Sequence, residues 1–276
     1  MAAIALALGA SLSWGFADFF GPLKGRTLGA LRTLLYVQVS GLIAIALIVA
    51  IRGRGPADWT SLLAIPAAVS GTLGLYAYYR GMAVGAMSVV APIAGISAVL
   101  PVIVGVVSGD RPSAVRVVGI ACALIGVYLA SREPGRTGPK VAAGVGLALL
   151  AAVGFGGYFP FMHAAGRADF WWASLFFRVA STSVIALTIA VRRPTLGVDA
   201  ADLPLLAFVG CGDMFGNLLF AAASSRGLIS IVSVLASLYP VVTVLLARAV
   251  LSERVARTQE GGILLTLAGV GLISVG

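Results

Sequence analysis

Long apolar runs separated by short polar connectors dominate the whole sequence. Most runs are about 20 residues long, which is the length that an α-helix needs to cross the hydrocarbon core of a bilayer. Since backbone groups in lipid must be hydrogen-bonded within their own segment, this pattern predicts helices, whereas barrel strands would show about ten alternating residues. The runs cover residues 2–21, 29–51, 59–80, 83–108, 113–131, 141–165, 170–191, 202–224, 228–250 and 257–275.

An internal repeat divides these runs into two sets of five. The segment 110–131 aligns with 253–274 at a constant offset of 143 residues, and eight of the aligned positions are identical. Two shorter matches have nearly the same spacing: 85–90 with 227–232, and 13–16 with 154–157. Three matches in the same order are difficult to explain by chance resemblance between apolar segments.

The repeat predicts the topology of the molecule. Because five crossings are an odd number, the second half must enter the bilayer in the opposite sense to the first. We therefore predict an all-α integral membrane protein with ten transmembrane helices, arranged as two inverted five-helix repeats over residues 1–135 and 136–276. Secondary transporters often have this architecture, with a substrate site between the halves near the midplane.

Composition narrows the class further. Charged residues make up 11% of the chain and hydrophobic residues 60%, whereas soluble proteins carry about a quarter charged residues. This balance excludes a soluble enzyme. The net charge of +9 comes from isolated Lys and Arg residues between apolar runs, so it indicates membrane topology and not a nucleic-acid partner. Cys122 and Cys211 lie inside apolar runs, where packing is their expected role.

Short motifs before the last helix of each half connect the chain to a known family. Asp110-Arg111 and Glu253-Arg254 each precede a Gly-x6-Gly helix, and Ser-Leu-Tyr-Pro240 lies upstream in the second half. With its five-plus-five spans, the chain resembles the EamA branch of the drug/metabolite transporter superfamily. The resemblance implies transport of small organic metabolites, often export, and it implies no enzymatic activity.

Ionisable and polar residues within the apolar runs are the candidate site, because such residues are costly in a bilayer and usually face a cavity or one another. Asp213 and Asn217 are one turn apart on one helical face, where they could bind an ammonium or hydroxyl group. Trp14 and Asp18 have the same spacing in the first run. The predicted substrate-binding residues are Trp14, Asp18, Tyr76, Arg178, Asp213 and Asn217.

Several of these residues have alternative interpretations. Arg178 could pair with Asp213, meet a substrate carboxylate, or extend its long side chain to the headgroups. Asp18 could line a cavity or lie at the membrane interface, and Tyr76 could belong to an interfacial aromatic belt. If transport is driven by protons, Asp213 is the first candidate carrier and Asp18 the second. The single histidine, His163, is more typical of a packed residue than of a proton relay.

Glycines and prolines supply the predicted structural positions. Gly119, Gly126, Gly262 and Gly269 lie two turns apart within their helices and predict close helix–helix packing. Pro101 and Pro240 each remove a backbone donor inside a run, so they predict a kink or hinge.

Three other functions remain open from the sequence. A divalent-cation transporter of the same superfamily would need several converging acids, a membrane enzyme acting on lipid-linked substrates would need an acid or metal cluster, and a scaffold would need large loops. The sequence contains no nucleophile–base motif, P-loop or metal-ligand spacing. We accordingly predict no cofactor, no bound metal and no nucleic-acid partner. The expected partners are a small-molecule substrate and the lipid bilayer, with a homodimer left open.

Orientation is the point on which two arguments disagree. Connectors after odd-numbered runs carry about twelve Lys and Arg residues and the others about six, which favours external termini by the positive-inside rule. The family resemblance implies cytoplasmic termini instead, and we adopt that expectation. The short connectors suggest a multi-pass protein of a bacterial plasma (inner) membrane.

Overall fold

The computed structural model describes residues 1–83, 94–131, 139–251 and 257–275, and nearly all of these residues are α-helical. Each predicted run corresponds to helix wherever the chain is described. The helices are α1 (Ala2–Leu28), α2 (Ala30–Arg52), α3 (Ala64–Ala83), α4 (Val99–Val107), α5 (Ala114–Ser131), α6 (Pro139–Arg192), α7 (Leu203–Ser224), α8 (Ile229–Ala236), α9 (Tyr239–Leu251) and α10 (Arg257–Val275). Short 3₁₀ turns precede α3, α4 and α7, at Trp59–Leu63, Ile96–Ala98 and Ala200–Asp202.

Five helical segments among the described residues are long and apolar enough to cross a membrane. They are Ala2–Leu28, Ala30–Arg52, Trp59–Gly81, Gly146–Arg192 and Ala200–Ser224. Three shorter apolar helices are Ala114–Leu129, Ile229–Thr243 and Glu260–Ile273. The protein is therefore an all-α, multi-pass membrane protein.

The longest helix, α6, contains the sixth and seventh predicted runs. Asp169 breaks it with an extended backbone conformation, at φ −157° and ψ 104°. The Asp169 carboxylate accepts hydrogen bonds from the backbone N–H groups of Trp171 and Trp172, at 3.0 and 3.2 Å. This is N-cap geometry, which starts a new helical segment after the break. Since a crossing needs about 20 residues, the 47-residue segment Gly146–Arg192 is long enough for two.

Two helix breaks lie next to the prolines that were predicted to act as kinks. Pro240 is the second residue of α9, and the turn at Ser237 and Leu238 separates α8 from α9. Pro101 is the third residue of α4, directly after the 3₁₀ turn Ile96–Ala98. A proline in the first turn of a helix loses no intrahelical hydrogen bond, so the chain bends just before each proline while the following helix remains regular.

One helix extends beyond its predicted run. The first apolar run ends at Gly21, but α1 continues through the buried Pro22 to Leu28. Its last turns carry Lys24, whose ammonium forms an ion pair with Asp202 at 2.5 Å. The polar residues after the run are therefore part of the helix. The repeated segments around residues 85–90 and Glu253-Arg254 lie outside the described residues.

The helices pack between the two predicted halves more extensively than within them. α1 packs along α7, α3 along α6, and α5 along α10, while α2 lies against both α6 and α7. The largest group of buried apolar residues joins α1, α6, α7 and α8. A central cavity lies between these helices.

Candidate functional site

The central cavity has a wall of aromatic rings and a small number of polar groups. It is lined by Trp14, Asp18, Gln38, Gly71, Thr72, Leu75, Phe155, Tyr158, Phe159, Phe177, Asp213, Asn217 and Tyr239. The lining residues come from α1, α2, α3, α6, α7 and α9, and thus from both predicted halves of the chain. Four of the six predicted substrate-binding residues are among them.

Arg178 and Asp213 form an ion pair beside the cavity. The guanidinium lies 2.7 Å from the Asp213 carboxylate, and its side chain is 1% exposed. The guanidinium also donates to the side-chain carbonyl of Gln38, which accepts a second hydrogen bond from the Ser181 hydroxyl at 3.1 Å. Of the alternatives left open for Arg178, the structure contains the pair with Asp213. Arg178 itself is not a lining residue.

Asn217 lies one turn after Asp213 and also lines the cavity. Its side-chain N–H group donates to the backbone carbonyl of Asp213 at 2.7 Å. The amide nitrogen is therefore engaged by its own helix, as is common for short polar side chains in helices. The amide oxygen is the group of Asn217 that remains for a ligand.

Asp18 differs from Asp213 in having no partner. Within the described segments, Asp18 makes no hydrogen bond and no ion pair, although it lines the same cavity. Trp14 lies one turn earlier on the same face of α1 and lines the cavity with it. The cavity thus contains one carboxylate that is neutralised by a guanidinium and one that is not.

An aromatic cluster forms the largest part of the wall. Tyr158 is its centre, with ring centroids 5.3 Å from both Phe159 and Phe177 and 5.9 Å from Trp14. These ring pairs are edge-to-face, which is a favourable geometry for aromatic side chains. The faces of the rings are the main chemical surface that the cavity offers to a ligand.

Two buried hydroxyl groups of lining residues lack hydrogen-bond partners. The Thr72 and Tyr158 side chains are 2% and 5% exposed, and neither hydroxyl is hydrogen-bonded. Unpaired polar groups in a nonpolar environment are costly, and buried ones are usually paired. A ligand or water in the cavity would supply the missing partner.

Tyr76 does not line the central cavity. It lies at a second cavity, between the α1–α2 junction, α3 and the connector after α6, together with Arg32, Arg80 and Thr195. Arg32 ties this region together by donating to the backbone carbonyls of Thr195 and Gly197, at 2.8 and 2.9 Å. The structure therefore separates Tyr76 from the other predicted substrate-binding residues.

The predicted packing glycines meet one another across α5 and α10. A methyl group added to Gly126 would lie 2.7 Å from the carbonyl oxygen of Gly262, and one added to Gly119 would lie 2.9 Å from that of Gly269. Such distances leave no space for a side chain. The two helix backbones are therefore in direct contact at both levels, as small residues permit in a bilayer.

Sequence reasoning missed several lining residues. Gln38 is a polar amide within the second apolar run, so the argument that identified Asn217 applies to it equally. Phe155, Tyr158 and Phe159 gave no such signal, because aromatic residues are common on lipid-facing surfaces as well as in cavities. His163 is buried among packed residues and does not line the cavity. Among the described residues, no group of three or more His, Cys, Asp or Glu side chains is arranged to hold a metal ion.

The fold and the cavity define a multi-pass helical membrane protein with an internal polar site. The sequence model of the EamA-like transporter family matches residues 1–132 and 142–275, and the chain belongs to this family. Its membership in the drug/metabolite transporter superfamily confirms the predicted resemblance. None of the curated proteins matches the chain. A solved structure, described as the crystal structure of a protein, has the same fold with a TM-score of 0.80, at 20% sequence identity, over 99% of this chain and 98% of the other.

Proposed function

We propose that the protein is a secondary transporter that moves small organic metabolites across a bacterial plasma membrane, in the export direction, by alternating access. The observation that carries this proposal is the central cavity, whose polar and aromatic lining comes from both predicted halves. Family membership supplies the class of activity, a membrane transporter. A site between two halves is the arrangement in which rocking of one half against the other exposes the site to each side in turn.

Hydrogen bonds related by the sequence repeat support two inverted five-helix halves, over residues 1–135 and 136–276. The Ser13 hydroxyl donates to the carbonyl of Gly212 at 2.8 Å, and the Ser70 hydroxyl donates to that of Gly154 at 2.9 Å. The repeat places Gly154 at the position of Ser13, and Gly212 at that of Ser70, with offsets of 141 and 142 residues. The two hydrogen bonds thus join equivalent positions in opposite order, as a two-fold axis requires.

Contacts at the two ends of the helices follow the same rule. The Arg32 side chain donates to the carbonyl of Thr195 at 2.8 Å, and the Trp172 side chain donates to that of Arg54 at 2.9 Å. Thr195 and Arg54 are 141 residues apart, and Trp172 and Arg32 are 140 apart. Gly119 and Gly126 exchange contacts with Gly269 and Gly262 in the same reciprocal way. In ten inverted spans, these end contacts lie on opposite faces of the membrane.

Coupling to protons, if present, is better assigned to Asp18 than to Asp213. The Asp213 carboxylate already has the Arg178 guanidinium as a partner at 2.7 Å. Asp18 lines the cavity without a basic partner among the described residues, so a proton or a substrate can reach it without breaking an ion pair. This order reverses the one expected from the sequence.

Comparative metabolite profiling tests the transporter proposal. Cells expressing equal amounts of wild type, Asp18→Asn, the surface control Asp199→Asn, or empty vector are compared for metabolites inside and outside. Wild type and the control are expected to lower one metabolite class inside and raise it outside, and Asp18→Asn to lose that difference. If wild type and vector match despite equal membrane insertion, the proposal is wrong.

A further inference from the structure

The charges at the central cavity do not cancel. Three charged side chains lie at its wall or directly behind it, within the described part of the chain: Asp18, Asp213 and Arg178. Arg178 and Asp213 neutralise each other at 2.7 Å, while Asp18 has no basic partner. With both acids ionised, the cavity carries one net negative charge. A positively charged group of the ligand would compensate it.

The wall around this charge suits a particular kind of cation. Trp14 shares a face of α1 with Asp18, and the rings of Tyr158, Phe159 and Phe177 continue the wall. Aromatic faces attract cations through the ring quadrupole, most strongly where water is excluded. Hydrated metal ions need several oxygen ligands instead, and no acidic cluster of that kind is present among the described residues.

The unpartnered hydroxyls of Thr72 and Tyr158 give the cavity its second polar feature. Both side chains are more than nine-tenths buried, and both belong to lining residues. A ligand with a hydroxyl or carbonyl group near its cationic centre would satisfy them. A purely apolar cation would leave them unpaired, at a cost of about 1–3 kcal/mol each.

We propose that the substrate is a small organic cation, an amine or quaternary ammonium compound with an adjacent hydrogen-bonding group. Asp18 is its counter-ion, the aromatic cluster surrounds its apolar substituents, and Thr72 and Tyr158 bind its polar group. This inference rests on the proposed transport function and specifies the substrate class. Anionic metabolites are disfavoured because they would be desolvated beside an uncompensated carboxylate.

Binding of matched cation and neutral pairs tests this proposal directly. The probes are choline and benzyltrimethylammonium, each compared with the neutral analogue in which carbon replaces nitrogen; for choline this is 3,3-dimethylbutan-1-ol. Binding to the purified full chain in lipid nanodiscs is measured by isothermal titration calorimetry. At least one cation is expected to bind at least tenfold more tightly than its neutral analogue.

Variants at Asp18 separate charge from shape. Asp18→Asn is expected to weaken cation binding at least tenfold, Asp18→Glu to retain it within about threefold, and Asp199→Asn to leave it unchanged. A thermal unfolding scan of each variant shows that it is folded. Equal affinity for both members of each pair, no binding of either cation, or undiminished binding by Asp18→Asn would overturn the proposal.

Flux measurements in proteoliposomes distinguish this proposal from the transport function on which it rests. If wild type moves uncharged or anionic metabolites and Asp18→Asn moves them equally well, the protein is a transporter and the cation assignment is wrong. If wild type binds the cations selectively but moves nothing across the bilayer, the site stands and the transport function is wrong.

Discussion

At the scale of single residues, the ion pair of Arg178 and Asp213 is the most demanding feature of the interior. Arg178 is 1% exposed, so its charge depends on Asp213 and on the carbonyl of Gln38 for compensation. Removing one partner of a buried ion pair leaves the other uncompensated and costs about 3–5 kcal/mol. We therefore expect Asp213→Leu to lower the unfolding temperature in detergent markedly, as measured by differential scanning fluorimetry.

A double variant provides the control for this prediction. Replacing both members of a buried pair by apolar residues of similar volume is often neutral. Arg178→Met combined with Asp213→Leu is therefore expected to recover most of the loss. An unfolding temperature for the single variant equal to that of wild type would contradict the assigned role of the pair.

Tyr158 gives the opposite kind of prediction, a loss of transport without a loss of stability. Its hydroxyl has no hydrogen-bond partner in the structure, so Tyr158→Phe removes nothing that holds the fold. One hydrogen bond to substrate contributes about 0.5–1.5 kcal/mol, which corresponds to a two- to tenfold fall in kcat/KM for flux. Tyr128→Phe, on a more exposed ring of α5, is the matched control and should change neither quantity. Unaltered flux for Tyr158→Phe would remove this hydroxyl from the proposed site.

Predictability from sequence differed between polar and aromatic residues. Asp18, Asp213 and Asn217 were found because a polar group in an apolar run needs a reason to be there. Tyr158 and Phe177 were not found, since every face of a helix in lipid is apolar and periodicity does not reveal which face points inward. The sequence also could not show that Tyr76 lies apart from Trp14, because that depends on how α3 is rotated against its neighbours.

At the scale of helices, the contact between α5 and α10 is the one most exposed to small changes. A methyl group at Gly126 would lie 2.7 Å from the carbonyl oxygen of Gly262, which is closer than side chains normally approach a backbone. We expect Gly126→Ala to force the helices apart and to lower the unfolding temperature of the purified protein. Gly271→Ala, on the same pair of helices but with no atom within 4 Å of the added methyl, should leave it unchanged or slightly higher. Equal unfolding temperatures for the two variants would show that backbone contact at Gly126 is not a source of stability.

Helix positions were predictable where polarity changed and less so where it did not. The Lys and Arg residues between runs marked the connectors, and Pro101 and Pro240 marked the breaks before α4 and α9. The continuation of α1 past Gly21 was missed, because a proline and two basic residues usually signal the end of a helix. There the ion pair of Lys24 with Asp202 holds the extra turns against α7.

At the scale of the whole molecule, two exposed glycines can test both inversion and orientation. Gly55 lies in the connector between α2 and α3, and Gly197 lies in the connector before α7. They are 142 residues apart, so the repeat makes them equivalent. A side chain added at either position meets no atom within 4 Å, so a cysteine there should not disturb the fold.

Ten inverted spans place five crossings between these two glycines, so they must lie on opposite sides of the membrane. With Cys122 and Cys211 replaced by serine, a membrane-impermeant maleimide added to intact cells should label only one of Gly55→Cys and Gly197→Cys. Cytoplasmic termini predict labelling at 197, whereas the distribution of Lys and Arg predicts labelling at 55. Permeabilised cells should label both positions equally, which controls for reactivity. Labelling of both positions in intact cells would contradict the inverted repeat itself, because an even number of crossings would then separate them.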